Sequence, residues 1–147
     1  MIVLFATDGT PAGLHAIREA TNLLPLKGAT LFTVAVAPTL KIPIGSGPMG
    51  PAGGSLADEM EATELMEEAA DTQAAAAARE LGDMGFPATP LERGGEPTEA
   101  ILATSREVGA DLIVLGAHSF ERAPHGDLGR VPDEVMHLAD KPVLVIR

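Results

Sequence analysis

Apolar and polar positions follow two rhythms along this chain. Runs with almost no polar interruption, Ile2–Ala6, Thr30–Val36 and Leu112–Leu115, suit strands buried on both faces of a parallel sheet. Ala88–Leu91 and Val143–Ile146 are shorter segments of the same kind. Between these runs the apolar residues recur at helical spacing. Thr10 can cap a helix with Pro11 at its first position, and Leu14, Ile17, Thr21 and Leu24 mark its inner face. A longer helix starts at Ser55 or Asp58 and ends at Gly85, with Met66, Ala70, Gln73, Ala77, Leu81 and Met84 as its buried stripe. A third, Thr98–Val108, turns Ile101 and Val108 inward and stops at Gly109. The last, Val131–Ala139, carries Pro132 in its first turn and Val131, Val135 and Leu138 on one face.

Strands and helices that alternate through short connections make βαβ units and imply a parallel sheet. The pattern predicts one α/β doubly wound domain over residues 1–147, with five strands and four helices in three layers. The exception to short connections is the Pro/Gly-rich stretch Ala37–Ser55, within a flexible segment at 37–57. It cannot pack a core of its own, which makes it a connection or a lid.

Composition narrows this picture. Hydrophobic residues are 46% of the chain but aromatics only 3%, so the core is expected to be aliphatic. With no cysteine, disulfides, thiolate metal sites and Cys nucleophiles are excluded. Met1–Ala6 is too short an apolar run for a signal peptide and lacks a basic start, and no stretch reaches the ~20 apolar residues needed to span a bilayer. A soluble, cytoplasmic protein is expected. The net charge of −11 argues against nucleic-acid or anionic-membrane partners, which require clustered Lys and Arg. The acidic run within Asp58–Asp71 complements the dipole of the long helix and reads as a solvated face.

The chemistry concentrates in Asp111–Arg130. A buried strand ends at Gly116, a loop of mixed charge follows, and Gly129-Arg130-Val131-Pro132 opens a helix. Glycines admit a close ligand, and free amides at a helix start favour negative charge, so this stretch suits phosphates. Other chemistries fit less well. His118, His125 and His137 lack metal-ligand spacing, and Gly116-Ala117-His118-Ser119 is not a Gly-x-Ser-x-Gly nucleophile elbow. No Gly-x-Gly-x-x-Gly follows the first strand, which disfavours a dinucleotide dehydrogenase. The Thr7–Gly13 turn resembles a flavodoxin phosphate loop, but the chain has no Trp or Tyr to stack on a flavin.

In its spacing, the stretch resembles the universal stress protein family, whose nucleotide-binding members carry Gly-x2-Gly-x9-Gly-(Ser/Thr) after the fourth strand. Gly116, Ser119, Gly129 and Arg130 occupy the four positions, with both spacings kept and two residue types changed. Gly95-Glu96-Pro97 and Ala110–Gly116 extend the likeness. The resemblance implies strand order 3-2-1-4-5, with a crevice between strands one and four facing Asp8 and Gly116–Ser119. It further implies that Asp8 contacts the nucleoside and that backbone at Ala35 and Val36 receives the adenine edge. Gly116, Ser119, Gly129, Arg130 and Val131 would then surround the phosphates. The expected ligand is ATP, with or without Mg, or a related adenine nucleotide. If residue 119 needs a positive φ, serine costs about 1 kcal/mol there. Arg130 can pair with phosphate oxygens, or can close the space through Asp127 or Glu121. In the first case the protein is a stress-response binding module; in the alternative it is a nucleotide-free interaction protein. Either form is expected to be a homodimer joined through Val143–Ile146. Catalysis is expected to be absent or limited to slow ATP hydrolysis.

Overall fold

A computed structural model describes residues 1–39, 56–117 and 128–147 of the chain. Five parallel strands form one sheet in the order β3-β2-β1-β4-β5. They are β1 (Ile2–Ala6), β2 (Thr30–Ala37), β3 (Ala88–Gly94), β4 (Leu112–Gly116) and β5 (Val143–Ile146). The helices α1 (Pro11–Leu23), α2 (Leu56–Asp83), α3 (Pro97–Val108) and α4 (Arg130–Leu138) are the crossovers that parallel strands require.

Side chains alternate across each strand, and this divides the core in two. Val3, Phe5 and Val114 pack with Ala16, Ile17 and Ala20 of α1 and with Ala77 and Leu81 of α2. Leu4, Ala6, Ile113 and Leu115 point the other way, toward Ile101 and Leu102 of α3 and Val131 and Val135 of α4. α1 and α2 therefore cover one face, and α3 and α4 the other. β1 lies in the middle, with Val3, Leu4 and Phe5 fully buried. Its start is tied to that of β4 twice: the Ile2 amide donates to Asp111 Oδ2 at 2.7 Å, and the Asp111 amide donates to the Ile2 carbonyl at 2.8 Å.

The expected elements all occur, with shifted ends. β3 runs to Gly94 rather than Leu91 because Glu92, Arg93 and Gly94 pair in register with Ala35, Val36 and Ala37. An edge strand needs backbone pairing on one side only, so polar side chains do not stop it. In α1 the buried positions are Gly13, Ala16, Ile17 and Ala20, while Leu14 and Leu24 pack at the margin. The small residues let that helix approach the sheet. In α4, Val131 and Val135 are buried but Leu138 is 64% exposed, contrary to expectation. Ala139, eight residues after Val131, takes the next inner position. The alanines of α2 permit a similarly close seat, and buried Thr33 is satisfied by donating to the Ala74 carbonyl at 2.8 Å. Glu61, Glu64, Glu67 and Glu68 are exposed, as a solvated face requires. Most of the Ala37–Ser55 connection lies outside the described residues. Among those described, no helix is long and apolar enough to cross a membrane.

The packing predicts a sharp contrast between two leucines of α2. Leu81→Ala empties a fully buried position and should cost about 2–5 kcal/mol, whereas Leu65→Ala, at a residue 60% exposed, should stay within about 0.5 kcal/mol. Urea unfolding of both variants checks this.

Candidate functional site

Where strand order reverses, neighbouring connections leave for opposite faces and open a crevice at the carboxyl edge of the sheet. Here that point lies between β1, whose chain continues into α1, and β4, whose chain continues toward α4.

The β1 side is a tight turn held by its own side chains. The Thr7 amide donates to the Val34 carbonyl at 2.9 Å and so keeps the chain against β2. Thr7 Oγ1, buried, accepts the Gly9 amide at 3.0 Å. Asp8 Oδ1 accepts both the amide and the hydroxyl of Thr10, at 3.0 and 2.6 Å. Thr10 in turn caps α1 by accepting the Gly13 amide at 3.3 Å. The chain can make this turn because Gly9 adopts a φ of 72°, open to glycine at little cost. Asp8 is thus oriented by the helix cap beside it.

β2 outlasts β1 by several residues. Its last partner across that edge is Val34, opposite Ala6. The Val34 carbonyl faces β1, and the Ala37 carbonyl, which accepts the Gly95 amide at 3.0 Å, faces β3. Backbone groups alternate sides along a strand, so those of Val36 point past the end of β1 into the crevice while those of Ala35 serve the β3 edge.

On the β4 side, Gly116 and Ala117 are buried, and the Ala117 amide extends the pairing to the Ile146 carbonyl at 2.6 Å. Ser119, His118, His125, Glu121, Arg122 and Asp127 lie outside the described residues. The chain is described again before Gly129, which N-caps α4 with φ 89° and ψ 155°. A Cβ would strain that conformation, so the glycine is required by backbone geometry. Val131 packs in the same cluster as Ala6, Val36 and Leu115, which sets the first turn of α4 over the carboxyl half of the sheet.

Arg130 has two acidic partners beyond those expected. Its Nη1 donates to Glu96 Oε1 at 2.9 Å and to Glu134 Oε2 at 3.1 Å. Buried Thr98 donates its hydroxyl to the same Glu134 oxygen at 2.6 Å. The N-termini of α3 and α4 are thereby stitched together by one cation, two carboxylates and a hydroxyl. The i,i+4 spacing from Arg130 to Glu134 was a legible signal. The Glu96 contact, thirty-four positions away, needed the fold. Glu96 also caps α3, accepting the Glu99 amide at 3.0 Å. Burial pushes the Glu96 carboxyl up. The Glu99 amide, the Arg130 guanidinium and the Thr98 amide together outweigh it, so the group titrates below its ordinary 4.5.

Chemically, this edge offers one carboxylate at Asp8, outward backbone at Val36, a glycine-capped helix start and one guanidinium already engaged by acids. Among the described residues, no three His, Cys, Asp or Glu side chains are grouped to hold a metal.

A match to the Universal stress protein family covers residues 1–147. The universal stress protein MJ0577 of Methanocaldococcus jannaschii is 33% identical over 69 residues, 47% of this chain and 43% of that relative. The aligned part therefore spans under half of the relative. The solved structure of MJ0577 shares the fold with a TM-score of 0.76 at 24% identity, covering 99% of this chain and 94% of that one. A universal stress protein family protein from Arabidopsis thaliana, solved with AMP bound, gives a TM-score of 0.63 at 13% identity over 99% and 90% of the two chains. A universal stress protein in complex with cAMP gives 0.56 at 21% identity over 100% and 96%. At these identities the structural likenesses establish the fold.

Folding lowers the pKa of the Glu96 carboxyl below its ordinary 4.5, so its contribution to stability is complete above pH 4.5 and is lost as pH falls through the folded value. Thermal melts from pH 7 to pH 3 should show a shallower acid limb in Glu96→Gln than in the parent chain. Identical acid limbs would mean that the Glu96 contacts contribute nothing.

Proposed function

The chain belongs to the universal stress protein family, and on that premise we propose that it is a stress-response binding module for ATP or a related adenine nucleotide. The ligand would lie in the crevice beyond the carboxyl ends of β1 and β4. Asp8 would accept from the nucleoside, the backbone at Val36 would meet the adenine edge while that of Ala35 stays turned to β3, and Gly116, Ser119, Gly129, Arg130 and Val131 would surround the phosphates. The observation that carries this reading is the pairing, at one sheet edge, of the Asp8 turn with a helix start capped by Gly129 at positive φ. Relatives of the same fold solved with AMP or cAMP lend it further support.

The ion pairs of Arg130 do not forbid a phosphate. Its side chain and those of Glu96 and Glu134 are 43%, 39% and 39% exposed, and pairs so exposed are worth about 0–1 kcal/mol each. Charge-assisted bonds from a guanidinium to phosphate are stronger, so a phosphate can draw Arg130 from its acids. Holding phosphates is not activating water, so this reading calls for no rapid turnover.

The same ion pairs favour a second reading. With Arg130 in place of a small hydroxyl residue and two carboxylates beside it, the phosphate space would be closed. The protein would then work without nucleotide, as a homodimer paired through Val143–Ile146.

Calorimetric titration with Mg-ATP, ADP and AMP separates the readings. The binding module predicts saturable binding, lost in Gly129→Val, where the side chain opposes the positive φ. The nucleotide-free reading predicts no heat from the parent chain and a gain of binding in Arg130→Ser.

A further inference from the structure

Gln73 was expected in the buried stripe of α2, yet it does not serve there as its neighbours do. Ala70, Ala74 and Ala77 pack against the sheet, whereas the Gln73 side chain lies along Gly9, one residue from Asp8. A methyl group built on Gly9 would stand 2.5 Å from Gln73 Cγ and 3.1 Å from its amide carbon. Glycine at this position thus provides the room in which the carboxamide reaches the turn. Gln73 is only half-buried, and among the described residues its amide forms no hydrogen bond. A directional polar group has been brought to the carboxyl edge of the sheet without a hydrogen-bond partner among the described residues.

We infer that Gln73 is a specificity-determining contact of the nucleoside subsite, its carboxamide bonding one ribose hydroxyl while Asp8 accepts from the other. This rests on the nucleotide-binding reading above. The chemistry suits a vicinal diol. An ionised carboxylate only accepts, whereas a carboxamide both donates and accepts, so the two can take neighbouring hydroxyls together. The Asp8 carboxylate is held in place by Thr10, which lowers the entropic cost of binding at that group, and the Gln73 stem is brought to the same turn by its helix, in the room left by Gly9.

The test titrates AMP and its 2′-deoxy and 3′-deoxy analogues into the parent chain, Gln73→Met and Gln73→Glu. Methionine keeps the unbranched stem against Gly9 and removes the hydrogen bonds, while glutamate keeps the shape and removes the donor. The parent chain should favour AMP over one deoxy analogue by about three- to tenfold, the value of one neutral hydrogen bond. Gln73→Met should weaken AMP by the same factor and abolish that preference at an unchanged Tm, and Gln73→Glu should also weaken AMP. Parent-like AMP affinity in Gln73→Met, or an equal loss for all three ligands, would overturn the Gln73 assignment alone. A parent chain that binds none of the three would overturn the nucleotide-binding reading and this assignment together.

Discussion

The constraint on which the structure depends is the double burial of β1. This strand pairs with β2 on one edge and β4 on the other, and its inner residues are closed to water on both faces. Such a strand has no polar side chain to spare, so its chemistry is displaced to its carboxyl end. Parallel neighbours also force each connection across the sheet, and the crossovers have a fixed hand. α1 therefore leaves to one face and α4 to the other, and a crevice opens between them. Asp8, Val36 and Gly129 converge on that edge from three elements that the core has already fixed. The position of the crevice follows from packing alone.

What stands at the crevice edge is settled by weaker forces. The Arg130 network joins two helix starts through exposed ion pairs, each worth no more than about 1 kcal/mol. Thr98 strengthens it, because its hydroxyl is buried and Glu134 is its acceptor. The core beneath is worth far more, since one buried leucine accounts for several kcal/mol. The acidic latch can therefore rearrange without disturbing the sheet. On the two readings proposed above, this difference in magnitude would let Arg130 act as either a phosphate ligand or a plug.

Legibility in the sequence followed the strength of the forces. β1, β2 and β4 were plain because continuous apolar runs have few alternatives, and the order of the sheet came with the family resemblance. The caps at Thr10 and Gly109 were plain because single residues determine them. The polar end of β3 was hidden, since Glu92 and Arg93 are held by backbone pairing with β2 rather than by burial. Leu138 misled because i,i+3 and i,i+4 spacing are equally helical, and only the packed helix chooses Ala139 instead. The Glu96–Arg130 contact and the approach of Gln73 to Gly9 could not be read from the sequence, because both are made through the fold and neither spacing nor type betrays them. The partners expected for Arg130 at Glu121 and Asp127 lie outside the described residues; among those described, Glu96 and Glu134 engage the guanidinium.

The central claim is that an adenine nucleotide occupies the carboxyl edge of the sheet at β1 and β4. Backbone amide NMR during an AMP titration tests it most directly, because the opposite edge supplies an internal control. There a cavity of about 290 Å³ is lined by Leu26, Lys27, Gly28, Ala29 and Phe86 among others. The account predicts saturable shifts at the amides of Asp8, Val36 and Gly129, with Gly28 and Phe86 unmoved. Shifts centred on Gly28 and Phe86, or none at Asp8 and Gly129 at saturating AMP, would contradict it.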